Sequence, residues 1–171
     1  MGDRVRPGAN RRSKEISMVT ENALLPTLEL SEFPNSVIDV YIELPETDAG
    51  SRCAGICAAS LALADAGFIM RDLVAAVAVG KVDDRVVVDL NYDEEALECK
   101  NGVADIPVAI LPQTGEISLL QMDGIVDTAT LKEALEVAQK TAKEIYDVQR
   151  NALKAKYNEE WKKWQTIFIN Y

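Results

Sequence analysis

Five consecutive residues, Asp48-Ala49-Gly50-Ser51-Arg52, have the types and spacing to hold an oxyanion. They lie where an extended segment feeds the start of an apolar helix. Open backbone N–H groups, the Ser51 hydroxyl and the Arg52 guanidinium can therefore converge on one anion. Gly50 lets that anion approach the backbone closely. The same residues also suit an ordinary helix start, with Ser51 as the cap and Arg52 paired to a carboxylate. Arg11 and Arg12, adjacent before a predicted helix, can clamp phosphates bidentately as lysines cannot, or can belong to a solvated arm. The third set is acidic: Asp89, Asp93, Glu94, Glu95, Glu98 and Asp105 surround one connection between predicted strands. One or two of these can hold Mg²⁺ or hand a proton to a leaving oxygen, and the rest are solvated loop charges.

Composition removes several other chemistries. The 171 residues include no histidine, which excludes a Ser-His-Asp triad, a Cys-His dyad and His-ligated zinc or iron. Neither the phosphate-loop motif nor the dinucleotide-binding fingerprint is present. The net charge is −10, unevenly spread: residues 1–14 hold five Lys/Arg against one Asp. An acidic body with a short basic arm does not bind nucleic acid by a broad cationic surface, so its anion contacts are few, local or shared with a partner. Cys53, Cys57 and Cys99 are too few and too poorly spaced for a zinc site and read as small, reduced, buried residues, which favours a cytoplasmic location. The N-terminus has no signal-peptide h-region. Cys53 to Met70 is apolar but interrupted by Asp65 and Gly67, which makes it a buried core helix and not a membrane span.

Behind these residues the periodicity predicts a helix capped by Ser13 and stopped by Pro26, then a strand from Val37 to Leu44. A deeply buried helix from Ser51 to about Ala66 follows, with Gly67 as its C-cap. Strands are predicted at Leu73–Val79, Val86–Leu90, Val103–Leu111 and Ile117–Met122, paired by short connections. A long helix runs from about Thr128 to Tyr157, its stripe Leu131, Leu135, Ala138, Ala142, Ile145 ending on the polar Gln149. Thr130 and Glu133 have capping-box spacing, with Asp127 or Thr128 as alternative caps. The pattern is α+β, with five strands and three helices.

Seven runs occur in one order: NRRS (Asn10–Ser13), VIDVYIE (Val37–Glu43), DAGSRCAGICAASLALADAGFIMRDL (Asp48–Leu73), VAVGK (Val77–Lys81), VDLN (Val88–Asn91), ADIPVAILP (Ala104–Pro112) and GEISLLQMDG (Gly115–Gly124). Together they resemble the RNase PH family, and within it the catalytic RNase PH-type subunit of the archaeal exosome. The resemblance implies an RNase PH-type domain with a ribosomal-protein-like βαβ core. It divides the chain into a basic arm (1–12), the family domain (13–157), present as its C-terminal portion with the N-terminal part missing, and an unassigned tail (158–171).

The implied activity is 3′-to-5′ phosphorolysis of RNA: inorganic phosphate attacks the terminal linkage and releases nucleoside diphosphates, and the reverse reaction adds heteropolymeric tails. By the same resemblance Arg11 and Arg12 match the pair that holds the RNA 3′ end, and Gly50, Ser51 and Arg52 match the phosphate-binding turn. Asp105 matches one of two active-site aspartates. The other falls at Glu95, with Asp93 beside it, and Asp105 and Glu95 would hold Mg²⁺. The implied partners are a homologous non-catalytic subunit in a hexameric ring and RNA-binding cap subunits, with no membrane. The alternative is a degenerate subunit that only builds the ring.

Overall fold

The computed structural model describes residues 10–169 in backbone and 10–158 in side chain. Most of the predicted basic arm, 1–9, lies outside the described residues. The first helix, α1 (Arg11–Leu24), begins earlier than Ser13 suggests. Asn10 is the N-cap: its side chain accepts from the Ser13 N–H at 2.8 Å, while the Ser13 hydroxyl accepts from the Asn10 N–H at 3.0 Å. Ser13 is thus the third helical residue of a capping box and not the cap itself. Arg11 and Arg12 accordingly sit in the first turn of α1 and not in an arm before it. Pro26 lies in the short 3₁₀ turn Leu25–Thr27 that closes the helix.

The second helix, α2 (Ser51–Asp65), ends on Ala66, and Gly67 follows with φ +87°. The Phe68 N–H reaches the Leu63 carbonyl and the Gly67 N–H the Ala64 carbonyl, a Schellman-like closure that uses the left-handed glycine. Strands β1 (Ala75–Val82), β2 (Arg85–Val88), β3 (Val103–Leu111) and β4 (Glu116–Leu120) form one antiparallel sheet in the order β2-β1-β3-β4. The one-turn helix α3 (Tyr92–Glu95) connects β2 to β3, and α4 (Thr128–Ile169) follows β4. The backbone of α4 therefore continues beyond Tyr157 through part of the predicted tail. No described helix is long and apolar enough to cross a membrane.

Strand alternation divides the core in two. Val74, Ala76, Ala78 and Ala109 face α2. Ala75, Val77, Val79, Ile106, Val108 and Ile110 face α4, meeting Ala134, Ala138 and Ala142. Because β1 and β3 are covered on both sides, they read as continuous apolar runs. The polar end of the α4 stripe has a structural use: buried Gln149 donates from Nε2 to the Cys57 carbonyl at 3.0 Å and the Val74 carbonyl at 3.2 Å, tying α4 to α2 and to the residue that leads into β1. All three cysteines are free, and burial pushes the Cys53 thiol up to about 12.

The strand predicted at Val37–Leu44 does not form, so the described sheet has four strands and the first strand of the expected βαβ unit is absent from it. A β-branched run needs a ladder partner as well as propensity, and no described strand pairs with these residues. Ile38 packs on the α1/α2 core and Ile42 closes on Gly55 of α2, while Val37 and Tyr41 point outward at 85% and 86% exposure.

Candidate active site

The anion turn is set by backbone geometry. Gly50 is the N-cap of α2 with φ +64°, a conformation open to glycine at little cost, and no side chain caps the helix. The Cys53 and Ala54 N–H groups both bond the Gly50 carbonyl, so the N–H groups of Ser51 and Arg52 are the open donors of this helix start. Ser51 is the first helical residue and not the cap that an ordinary helix start would require. Arg52 does meet a carboxylate, as the alternative reading expects: its Nη1 donates to Glu15 Oε1 on α1 at 3.3 Å and also to Gln121 Oε1 just beyond β4. Both contacts use one amino group, and a guanidinium has five N–H donors, so the anion-binding reading keeps the donors it needs.

The carboxylates approach from the sheet. Asp105 stands on β3 opposite Gly80 of β1, and its strand is held by reciprocal backbone bonds with Asp123 at 2.8 and 2.9 Å. Its Oδ1 is buried and has no hydrogen-bond partner among the described residues. Burial raises the Asp105 carboxyl above the usual carboxylate range, Arg52 pulls it back and Asp123 pushes it up. Glu95, at the end of α3, is raised by burial first, then by Asp105 and Asp48, with Arg12 and Arg52 opposing. These are two like charges in one partly dry site, where ionisation of Asp105 opposes that of Glu95.

These groups line one cleft of about 400 Å³, to which Arg12, Gly50, Ser51, Arg52, Glu95 and Asp105 all contribute. Arg11, one residue away on α1, is exposed and outside the lining. Of the remaining acids, Asp93 and Glu98 are exposed and outside the lining, and Glu94 is engaged in capping α3 with Asn91. Asp89 lies beneath the anion turn, its Oδ1 3.4 Å from where a Gly50 Cβ would stand. Asp48, the first residue of the predicted anion segment, also lines the cleft, and the structure adds Tyr92, Gln121 and Asp123. Asp48 accepts from the Tyr92 N–H at 3.3 Å and so links the anion turn to the helix that carries Glu95. No spacing rule singles out Gln121 or Asp123, because both reach the cleft only through sheet pairing.

Asp105 and Glu95 are the cleft residues that could hold a magnesium ion. Mg²⁺ takes one or two carboxylates and completes its shell with water and substrate oxygens, and Asp105 Oδ1 is a buried acceptor with no protein donor among the described residues. A cage made wholly of protein is absent among the described residues, where no group of three or more His, Cys, Asp or Glu converges.

Residues 2–68 match the 3′ exoribonuclease family, domain 1, and residues 72–141 match domain 2 of the same family. The chain belongs to the RNase PH family. The RNase PH division assigns Arg12, Gly50, Ser51 and Arg52 to domain 1 and Glu95 and Asp105 to domain 2, so the cleft lies where the two segments meet. The exosome complex component Rrp41 of Thermococcus gammatolerans is 55% identical over 155 residues, covering 91% of this chain and 61% of that protein. The component of the same name from Methanopyrus kandleri is 50% identical, covering 91% and 63%. The chain thus spans about three fifths of the length of the curated relatives it matches. The crystal structure of rice (Oryza sativa) Rrp46 superposes with a TM-score of 0.77 at 20% identity, covering 86% of this chain and 68% of that one, and shows the shared fold.

Proposed function

We propose that this chain is the catalytic RNase PH-type subunit of an exosome, a phosphate-dependent 3′-to-5′ exoribonuclease that can run in reverse to extend RNA from nucleoside diphosphates. One observation carries the reading: the helix-start donors with Arg52, the Arg12 guanidinium, and two carboxyls raised above their ordinary range share a single cleft.

The chemistry needs no histidine. Inorganic phosphate is already an anionic nucleophile near neutral pH. The Ser51 and Arg52 N–H groups, the Ser51 hydroxyl and the Arg52 fork orient it. Arg12, from α1, neutralises the RNA phosphate under attack, and exposed Arg11 contacts the chain upstream. A phosphate oxygen bonds to the terminal phosphorus, the bond from phosphorus to the preceding 3′ oxygen breaks, and a nucleoside diphosphate leaves. The departing 3′ oxygen takes a proton from Glu95 or Asp105, whose raised affinity keeps one proton available closer to neutrality than an ordinary carboxyl would. Mg²⁺ held by Asp105 and Glu95 would add charge neutralisation at the reacting phosphate. The acidic body favours sharing the RNA path with partners: a related non-catalytic subunit alternating in a hexameric ring and RNA-binding cap subunits, in the cytoplasm.

The test is release of nucleoside diphosphates from a 3′-extended RNA, with and without phosphate and with and without the partner subunit. Arg52→Ala and Asp105→Ala each remove the activity. Absence of phosphate-dependent turnover with the partner present would assign the chain to the ring-building role instead. That second reading rests on Glu95, whose side chain is one methylene longer than the family's aspartate.

A further inference from the structure

We infer that Gln121, with Glu15, is a positioning residue that fixes the Arg52 guanidinium by one amino group while leaving its other donors for the anion. The inference rests on the proposal that Arg52 binds phosphate. Arg52 lies between two elements far apart in sequence: Glu15 Oε1 accepts from Nη1 on the α1 side and Gln121 Oε1 accepts from the same Nη1 on the β4 side. The Nε and Nη2 donors carry no protein acceptor among the described residues. A guanidinium tied at one nitrogen and open on its remaining edge is in the state that bidentate phosphate binding requires.

Gln121 is itself firmly placed. Its backbone N–H donates to the Pro107 carbonyl at 3.1 Å, extending the β3/β4 pairing by one step, and its residue is half-buried in the cleft wall. An amide suits this position better than a carboxylate. It accepts the hydrogen bond without cancelling the positive charge that attracts the anion. The cleft already holds Asp48, Glu95, Asp105 and Asp123, and a further full negative charge beside Arg52 would repel phosphate. Glu15 plays the lesser part, because its side chain is 41% exposed and its contact is 3.3 Å; an exposed pair of that kind is largely screened. Glu15 also lies about one turn beyond Arg12 on α1, so the strut ties Arg52 to the helix that carries the second arginine of the cleft.

The experiment is titration of the full chain with inorganic phosphate, followed by ³¹P NMR, in a double-mutant cycle of Gln121→Leu with Arg52→Lys. Wild type binds phosphate and Arg52→Ala does not; if Arg52→Ala binds as wild type does, the underlying functional reading fails. Given that control, Gln121→Leu weakens binding about tenfold, the worth of one charge-assisted hydrogen bond. In the Arg52→Lys background the same change costs less than about twofold, because an ammonium has no fork to orient. Gln121→Asn, too short to span to Arg52, repeats the loss in a polar side chain if the leucine variant folds poorly. Gln121→Glu keeps the acceptor yet weakens phosphate in a salt-dependent way. In turnover assays with the partner subunit, Gln121→Leu raises the KM for phosphate and leaves the KM for RNA unchanged. Equal losses in the wild-type and Arg52→Lys backgrounds, or no loss when the arginine is retained, would overturn the inference while leaving the phosphate site itself standing.

Discussion

Replacing Asp105 with asparagine should make the protein more stable and less active. The carboxyl is held partly out of water, its Oδ1 is buried without a partner among the described residues, and burial is the largest cause of its raised pKa. An unsatisfied buried acceptor costs about 1–3 kcal/mol, more when charged. Removing the charge recovers part of that cost. The variant also loses the attraction of Arg52, the second cause acting on the group, and solvent reaches part of the side chain, so the net gain is about 1 kcal/mol. For 171 residues that corresponds to about 2–4 °C in Tm.

The pH dependence carries a definite sign. A carboxyl whose folded pKa exceeds its unfolded one contributes most favourably below the unfolded value, ordinarily 3.8. That contribution is lost as pH rises through the folded value. Asp105→Asn should therefore outlast wild type in thermal unfolding at pH 8, and the gap should close as the pH falls and Asp105 takes up its proton. Phosphorolysis should fall by about 10²–10⁴-fold, the range for loss of an acid–base group. Glu95, no longer pushed up by Asp105, should ionise at lower pH in the variant. A variant less stable than wild type at pH 8, or a gap that does not change with pH, would refute the reasoning.

Gly80→Ala should disrupt the sheet centre, because an added Cβ would collide with the Ala104 carbonyl and stand 2.6 Å from Leu90 Cδ1; a loss of about 3 kcal/mol or more is expected in urea unfolding. Asp72→Ala removes a buried carboxylate that accepts from the Leu73 N–H, the Gln113 N–H and the Gln113 side chain. It should cost about 2 kcal/mol, read from the urea midpoint at constant slope. Asp127 caps α4 by accepting from the Thr130 N–H at 2.9 Å, and that bond holds its carboxyl below the usual range. Its contribution is present above the unfolded pKa and lost as pH falls through the folded one, so Asp127→Ala should lower Tm at pH 7 and match wild type in strong acid.

Much of the fold was legible because its signals are local. The Val103–Leu111 strand was predicted at its observed bounds, and the α2 start at Ser51 follows from a glycine turn meeting an apolar run. Where a second element decides, local signals misled. Val37–Leu44 has every propensity of a strand, but a strand exists only with a partner, and these residues lie against α1 and α2 without one. Ser13 looked like a cap because serine caps well, yet Asn10 three residues earlier completes a reciprocal box that serves both residues.

The candidate site divides in the same way. Gly50, Ser51 and Arg52 declare their chemistry within five consecutive residues, since an exposed helix start leaves N–H donors open to an anion. Residue types and spacing alone leave Asp105 and Glu95 equal to four other acids, and it is the family resemblance that singles them out. Tertiary structure sets their surroundings: β3 pairing buries one oxygen of Asp105, and the single turn of α3 puts Glu95 in the cleft while Glu94 caps the helix and Asp93 stays outside. Gln121 was invisible, because its role depends on the β3/β4 register bringing it to Arg52, 69 positions away in sequence. By itself the sequence determined the residue chemistry, the family and the elements whose hydrogen bonds close within a few residues. Tertiary structure alone decided which charges are desolvated and which donors meet, because dielectric and distance are properties of the packed chain and not of its order.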